Sequence, residues 1–128
     1  MGVKEYCSGL QHIGIPTNNI NETVEFYKKL GFEVAYTTRN GDETVTFLRM
    51  YDLVIETYEN NQAVMKSGAI DHFAINVKNI DSLFEEIKGM GFEMLDKQVN
   101  SLPFWENGVK FFTILGPNKE KVEFCEYL

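Results

Sequence analysis

The strongest constraint on the fold is an internal repeat, because the first half of the chain resembles the second half. Residues 12–34 align without a gap on residues 72–94, at an offset of 60, and nine of the 23 aligned pairs are identical. Repetition at a fixed offset is typical of a duplicated structural module. The sequence therefore predicts two copies of one module within the 128-residue chain.

A second ungapped block extends the repeat toward the carboxyl end of each copy. Residues 40–59 align on residues 107–126 at an offset of 67. The identical pairs in this block are Asn40/Asn107, Gly41/Gly108, Thr46/Thr113, Leu48/Leu115, Glu56/Glu123 and Glu59/Glu126. The change of offset predicts a seven-residue insertion in the second copy, between Met94 and Asn107.

Each copy shows the pattern of one strand, one helix and three further strands. Runs rich in Ile, Val and Phe predict the strands, at 10–16, 32–38, 44–50 and 53–58 in the first copy and at 70–77, 92–97, 109–115 and 121–127 in the second. The predicted fold class is therefore α+β, with two tandem βαβββ modules. We expect a single domain over residues 1–128, with modules at about 8–59 and 70–127 and a linker at 60–69.

Local signals predict the helix ends and one turn. Asn21 and Asp81 are the predicted N-caps, because their side chains accept hydrogen bonds from the first helical turn. Gly31 and Gly91 are predicted to end the helices, because glycine enters the left-handed conformation without strain. Asn40-Gly41 predicts a two-residue hairpin turn. The predicted buried helix faces consist of Val24, Tyr27 and Leu30 in the first copy and Leu83, Phe84, Ile87 and Met90 in the second.

Composition and charge exclude several classes of protein. A hydrophobic fraction of 44% with 10 Phe and 6 Tyr excludes a disordered chain. The net charge of −7 disfavours binding to nucleic acids and to anionic membranes. We find no signal-peptide core and no apolar run near the roughly 18 residues of a membrane span. Cys7 and Cys125 are too few for a disulfide framework, so we expect a cytoplasmic protein.

Four polar residues occupy matching positions in the two copies. His12 and His72 share one register on the first strand, and Glu56 and Glu123 share one on the last strand. Because side chains alternate between strand faces, all four are predicted on the face opposite the apolar residues. Taken singly, a histidine on a strand is usually a hydrogen-bonded structural residue, and a glutamate on a strand is usually solvated. Together they form a nitrogen and oxygen donor set that suits one divalent ion, such as zinc, nickel, cobalt, manganese or iron.

The sequence resembles the vicinal oxygen chelate superfamily, which includes glyoxalase I, bleomycin-resistance proteins, methylmalonyl-CoA epimerase and extradiol dioxygenases. The resemblance extends from Leu10 to Tyr127 and rests on His12-Ile13-Gly14-Ile15, His72-Phe73-Ala74-Ile75, residues 25–32 and Val122-Glu123-Phe124. It implies a curved mixed sheet around a metal cleft, with the helices outside. It also implies that the metal ligands are His12, Glu56, His72 and Glu123.

The four ligand positions are most similar to those of bacterial glyoxalase I (lactoylglutathione lyase), which also has His, Glu, His and Glu. This likeness implies a small substrate with vicinal oxygens that reacts through an enediolate, with Glu123 as the base and Glu56 as a ligand and second base. Pro16 stands where glyoxalase I has an arginine that binds a glutathione carboxylate, whereas Asn60 matches a family asparagine that contacts substrate. Two alternatives stay open: a non-catalytic protein that binds a small molecule or drug, and an epimerase or thiol transferase of the same superfamily.

The predicted insertion carries two adjacent aromatic residues, Phe104 and Trp105. Either they line the substrate pocket, or they pack against the neighbouring hairpin or a dimer contact. The expected partners are a small-molecule substrate, including the alternative of a thiol adduct, and a second copy of the chain in a homodimer. Whether the metal site forms within one chain or between two chains stays open.

Overall fold

A computed structural model describes residues 2–29, 31–65, 68–115 and 121–128. The helices are α1 (Val3–Tyr6), α2 (Ile20–Lys29) and α3 (Ile80–Lys88); the strands are β1 (Cys7–Thr17), β2 (Glu33–Asn40), β3 (Glu43–Met50), β4 (Leu53–Glu59), β5 (His72–Val77), β6 (Glu93–Met94), β7 (Asn100–Leu102), β8 (Val109–Leu115) and β9 (Lys121–Tyr127). Within these residues no helix is long and apolar enough to cross a membrane.

The described residues form two compact units. The first unit comprises His12–Asp71, and the second comprises His72–Leu128 together with Met1–Gln11. The first unit has the predicted βαβββ order, and the second has the same order with the short strand β7 added between β6 and β8, so the predicted α+β class is confirmed. The second unit also contains α1, which the sequence analysis did not predict. The proposed single domain stays a prediction.

In the first unit, β1 pairs in parallel with β4, β4 pairs antiparallel with β3, and β3 pairs antiparallel with β2. Helix α2 covers one face of this sheet. The core on that face is built from Phe32, Leu48 and Ile55, with Ile15, Val24 and Tyr27 packed against them. Apolar packing therefore occupies one face of the sheet, as the alternation of side chains predicts.

In the second unit, β5 pairs in parallel with β9, and β9 pairs antiparallel with β8. Short strands β6 and β7 both pair with β8. Helix α3 packs on one face of this sheet, in a core formed by Tyr6, Val77, Ile80, Leu83, Phe84, Ile87, Phe112, Ile114 and Phe124. The predicted strand at 92–97 is much shorter than expected, because the backbone N–H groups of Leu95 and Asp96 both donate to the carbonyl of Thr113. This shared acceptor ends the regular ladder after Met94.

Both predicted N-caps are wrong, because each helix begins near an asparagine two residues earlier. The backbone N–H of Glu22 donates to Oδ1 of Asn19 at 3.1 Å, so Asn19 caps α2. Asn79 is the N-cap residue of α3, in a left-handed conformation with a φ of 53°. The following isoleucines, Ile20 and Ile80, are buried in the first turns. Burial of these side chains fixes the helix starts more strongly than the capping preference of Asn21 or Asp81.

The predicted helix end at Gly31 is confirmed. Gly31 has a φ of 108°, its N–H donates to the carbonyl of Lys28, and the N–H of Phe32 donates to that of Tyr27. This pair of bonds is the Schellman pattern, which requires a left-handed residue. Gly91 also has a positive φ, of 83°, but α3 already ends at Lys88. Met90 follows the end of α3 and is exposed, so it is not part of the predicted buried face. Leu30, predicted for the buried face of the first helix, lies outside the described residues.

The first hairpin turn lies one residue later than predicted. Asn40 pairs with Glu43 at the end of the ladder, so the two loop residues are Gly41 and Asp42. Gly41 takes the first central position with a φ of 61°, where a type II′ turn requires glycine. The dipeptide Asn40-Gly41 signalled the turn, but the strand pairing decided which residues form it.

The ungapped alignment of the second block is wrong by one residue at β3 and β8. Glu56 pairs with Phe47, whereas Glu123 pairs with Thr113, so Thr113 is the counterpart of Phe47 and not of Thr46. Six of the seven additional residues therefore precede β8. The seventh lies in the connection between β8 and β9.

Glu59 and Glu126, which the repeat aligns with each other, accept hydrogen bonds at the starts of the two main helices. In the first unit, the N–H of Ile20 donates to Oε2 of Glu59 at 2.7 Å. In the second unit, the N–H groups of Asn79 and Ile80 donate to Glu126 at 3.3 and 3.1 Å. A carboxylate at a helix N-terminus satisfies N–H groups that lack helical partners and interacts favourably with the helix dipole.

Replacing either capping carboxylate is expected to destabilise the protein. Glu59→Ala and Glu126→Ala should each lower the free energy of unfolding by about 1 kcal/mol, because the first-turn N–H groups lose their acceptor. Urea unfolding followed by circular dichroism measures this change. Glu106→Ala, at an exposed loop position, is the control, and equal stabilities for all three variants would contradict the prediction.

Candidate metal site

The first unit brings His12 and Glu56 together. Strand β1 lies parallel to β4, with Gly14 in register with Glu56, and His12 is two residues before Gly14 on the same face. The Nε2 atom of His12 lies 3.4 Å from Oε1 of Glu56. Their side chains are only 4% and 13% exposed, so both groups are largely removed from water.

The second unit repeats this arrangement with His72 and Glu123. Strand β5 lies parallel to β9, and Ala74 is in register with Glu123, two residues after His72. The Nε2 atom of His72 lies 3.5 Å from Oε1 of Glu123, and these side chains are 9% and 13% exposed. The same contact between a histidine and a glutamate is therefore observed in both units.

A small residue separates the histidine and the glutamate in each unit. The registry partner of Glu56 is Gly14, and that of Glu123 is Ala74. Neither has a side chain large enough to fill the space beside the carboxylate. Each glutamate can consequently extend along the sheet face toward the histidine, which lies two residues before the small residue on the neighbouring strand.

The donor atoms in each pair have the spacing that a shared ion requires. Nitrogen and oxygen ligands at about 2.1 Å from one ion lie about 3.0 to 3.4 Å from each other, depending on the coordination geometry. A charge-assisted N–H···O hydrogen bond is shorter, at about 2.7–2.9 Å. Imidazole and carboxylate are also the ligands that borderline divalent ions accept. Each His–Glu pair therefore fits two coordination positions of a divalent cation.

Aromatic residues support the pair in the first unit. Phe47 is the registry partner of Glu56 on β3, and its buried ring meets the imidazole of His12 edge-on at 6.0 Å between centroids. Tyr36 is the partner of Phe47 on β2, with its ring centroid 6.2 Å away. The sequence analysis missed both residues, although the alternation along β3 places Phe47 on the face of Glu56 once the pairing is known.

Polar contacts surround the corresponding face of the second unit. Cys125 follows Glu123 by two residues on the same face and is buried. Nε2 of Gln11 donates to the carbonyl of Cys125 at 3.0 Å and to Oδ1 of Asn76 at 2.9 Å. These bonds satisfy the buried amide of Gln11 and tie β1 to β5 and β9 within this unit.

The two cysteines differ from the ligand residues in their chemistry. Neither forms a disulfide in the described part of the chain. The Sγ atom of Cys7 donates to the carbonyl of Val3 at 3.3 Å, and burial raises the pKa of its thiol. A raised pKa leaves less thiolate at neutral pH, so Cys7 is a poor metal ligand and a poor nucleophile.

The three residues predicted to bind substrate lie in separate parts of the two units. Asn60 follows β4 in the first unit, where its Oδ1 accepts a hydrogen bond from the N–H of Gln62. In the second unit, Phe104 is buried, and the ring of Trp105 packs edge-on against Tyr127 at 5.8 Å. A role for these residues in substrate binding stays a prediction, as does the meeting of the two His–Glu pairs.

A comparison with protein families decides which group this chain belongs to. Residues 9–124 match the Glyoxalase/Bleomycin resistance protein/Dioxygenase superfamily. The chain is a member of this superfamily. The matched segment contains both histidines and both glutamates, and it extends over most of the two units. No curated protein matches the chain in sequence.

Solved structures support the same assignment. Protein BH1468 from Bacillus halodurans C-125, described as hypothetical, is 26% identical, with a TM-score of 0.74 and coverage of 93% of this chain and 94% of that one. Methylmalonyl-CoA epimerase from Mycobacterium tuberculosis is 19% identical, with a TM-score of 0.76 and coverage of 100% and 93%. A superfamily member from Vibrio splendidus 12B01 is also 19% identical, with a TM-score of 0.68 and coverage of 93% and 99%. These similarities show that the chain has the fold of the superfamily, which contains enzymes.

Proposed function

We propose that the protein is a metal-dependent isomerase or lyase of the glyoxalase I type, acting on a small substrate with two vicinal oxygens. The observation that carries this proposal is the presence of a His–Glu pair at the same registers in both units, with donor separations of 3.4 and 3.5 Å. A protein that only binds a small molecule needs no such pair. Two of them together supply a complete set of four ligands.

His12, Glu56, His72 and Glu123 would hold one divalent cation, either within one chain or between the chains of a dimer. The cation would act as a Lewis acid toward the vicinal oxygens of the substrate. Four protein ligands leave two positions open on a six-coordinate ion. The low exposure of all four side chains supports this role, because exclusion of water strengthens electrostatic interactions.

Glu123 would be the catalytic base. Its carboxylate would take the proton from the carbon that bears the hydroxyl oxygen and return it to the neighbouring carbonyl carbon, while the hydroxyl proton passes to the other oxygen, so that the isomerisation balances without an oxidant. His72, 3.5 Å away, would keep this carboxylate at a fixed position on the sheet face. Glu56 would be a ligand and a second base, since its contact with His12 has the same geometry.

The substrate would differ from that of glyoxalase I at one end. Pro16 cannot bind the carboxylate that the arginine of glyoxalase I binds, so a thiol other than glutathione, or no thiol, would be used. Asn60, Phe104 and Trp105 are the proposed substrate-contacting residues. An epimerase or thiol transferase is not better supported, because the similarity to methylmalonyl-CoA epimerase at 19% identity concerns the fold.

Metal binding is expected to require both units. Chelator-treated protein should bind one Zn²⁺ or Ni²⁺ per chain, and His12→Ala and His72→Ala should each weaken binding by at least roughly 10–100-fold. Isothermal titration calorimetry with metal analysis measures this, and Glu85→Gln on the exposed side of α3 is the control. Retention of wild-type affinity by either histidine variant would show that the two pairs do not share an ion.

The role of Glu123 is tested by turnover of methylglyoxal with a panel of thiols and without thiol. Glu123→Gln should lower the rate by roughly 10²–10⁴-fold, the usual contribution of a general base, while the protein retains metal. Parallel loss of metal and rate would assign Glu123 a ligand role only. No turnover by metal-loaded wild-type protein across the panel, combined with tight binding of a small molecule, would support the non-catalytic alternative.

We also propose a homodimer, because the first unit ends in an exposed strand edge. Within the described residues, β2 has β3 as its single neighbour, and Val34 on it is 45% exposed. An open edge of this kind is usually covered. Light scattering of metal-loaded protein should give twice the chain mass of 14.7 kDa, and a monomer at micromolar concentrations with full activity would contradict this expectation.

A further inference from the structure

A groove on the surface of the first unit lies apart from its His–Glu pair. Its volume is about 360 Å³, and it lies between helix α2 and the segment that follows β4. Strand β1 contributes Ile15 to this groove. The odd spacing from His12 to Ile15 places these two side chains on opposite faces of the strand. The volume is within the range of small-molecule sites, at its lower end, so the groove can hold a ligand with one ring.

Apolar side chains line much of the groove. Phe26 and Met65 both contribute to it, and they are 57% and 80% exposed. The ring of Tyr27 meets that of Phe26 edge-on at 5.0 Å between centroids, and the buried ring of Phe32 packs on Tyr27 at 5.3 Å. The second unit has Glu86 at the position of Phe26. An exposed phenylalanine at this point is therefore no part of the duplicated framework, and exposed apolar groups that line one groove favour a binding site.

Two of the polar groups that line the groove are threonine hydroxyls. Thr17 and Thr23 align with Val77 and Leu83, which belong to the apolar core of the second unit. Their Oγ1 atoms lie 2.7 Å apart, and Oγ1 of Thr17 also bonds to the N–H and the carbonyl of Asn19. When the hydroxyl proton of Thr17 is donated to this carbonyl, Thr23 is the donor to Thr17. The oxygen of Thr23 then keeps a lone pair for an N–H group of a ligand.

Glu22 gives the groove its charge. It is the one charged residue among the described residues that line the groove, and its carboxylate forms no ion pair within the described parts of the chain. Phe26 follows it by four residues on α2, so the carboxylate and the ring are neighbours on the helix surface. A cation gains from both groups, through charge attraction and through the face of the ring.

We propose that this groove is a second binding site, independent of metal, for a primary arylalkylammonium ion. The ring of the ligand packs against Phe26 and Met65, and its ammonium group donates hydrogen bonds to Glu22 and to Oγ1 of Thr23. An organic acid is disfavoured at the same place, because its carboxylate meets the charge of Glu22. None of the four proposed metal ligands lines the groove, so the site goes beyond the proposed function.

The test uses 2-phenylethylammonium as the probe, 2-phenylethanol as its neutral counterpart and 3-phenylpropionate as the anion, on full-length protein after chelator treatment. Amide chemical shifts in ¹H–¹⁵N spectra give the dissociation constants, with the largest changes expected at Thr23, Phe26 and Ala63. The ammonium ion should bind at least roughly three-fold more tightly than the alcohol, and the anion more weakly than both. Added sodium chloride should weaken binding of the ammonium ion more than that of the alcohol.

Variants on α2 separate the contribution of charge from that of apolar contact. Glu22→Gln should remove most of the preference for the ammonium ion over the alcohol. Glu25→Gln removes the same charge from the same helix outside this groove and should leave the preference unchanged. Phe26→Ala should weaken both ligands by roughly five-fold or more, because each loses the same apolar contact.

Equal affinity of the wild-type protein for the three probes would overturn the inference. So would an unchanged preference in Glu22→Gln that circular dichroism shows to be folded, or chemical-shift changes confined to the surroundings of His12 and Glu56. Binding of the ammonium ion at this groove by a chain that takes up no added zinc would support this inference and refute the proposed function. Zinc binding that requires both histidines, without binding of the probe at the groove, would refute this inference alone.

Discussion

The candidate site depends on the register of two parallel strand pairs. Gly14 lies beside Glu56, and Ala74 lies beside Glu123. Each glutamate is therefore close to the histidine that precedes its small registry partner by two residues. A slip of one residue would turn the glutamate to the opposite face of its sheet and separate the pair. The register is held by apolar residues on the other face, where Ile55 is part of the core of the first unit. Hydrophobic packing thereby determines the geometry of a polar site.

The last strand of each unit combines two functions through a spacing of three residues. An odd spacing places Glu59 on the face opposite Glu56, and Glu126 on the face opposite Glu123. The first member of each pair contacts a histidine, and the second accepts hydrogen bonds from the start of a helix. The helix and the candidate ligand are consequently positioned by the same strand, which explains why both glutamates recur in the repeat.

The two units share a framework and differ in what surrounds it. The repeat retains the His–Glu pairs, the small residue beside each glutamate and the carboxylate that caps each helix. The first unit then adds Phe47 and Arg49, where the second has Thr113 and Leu115. The second unit adds β7 and the segment with Phe104 and Trp105. Of these differences, Phe47 and Thr113 lie directly beside Glu56 and Glu123, on the faces that carry the His–Glu pairs.

The sequence by itself determined the fold class, through the duplication, and the superfamily, through its resemblance. It also placed the two histidines and the two glutamates at matching registers and on the polar strand faces, because side chains alternate along a strand. It could not determine the helix starts, since burial of Ile20 and Ile80 outweighs local capping preference. Nor could it determine the length of β6 or the residues of the first hairpin turn, which depend on strand pairing. An ungapped alignment also concealed that Thr113 is the residue that opposes Glu123. Only the tertiary structure decided these points, because the pairing of strands distant in sequence sets which side chains are neighbours.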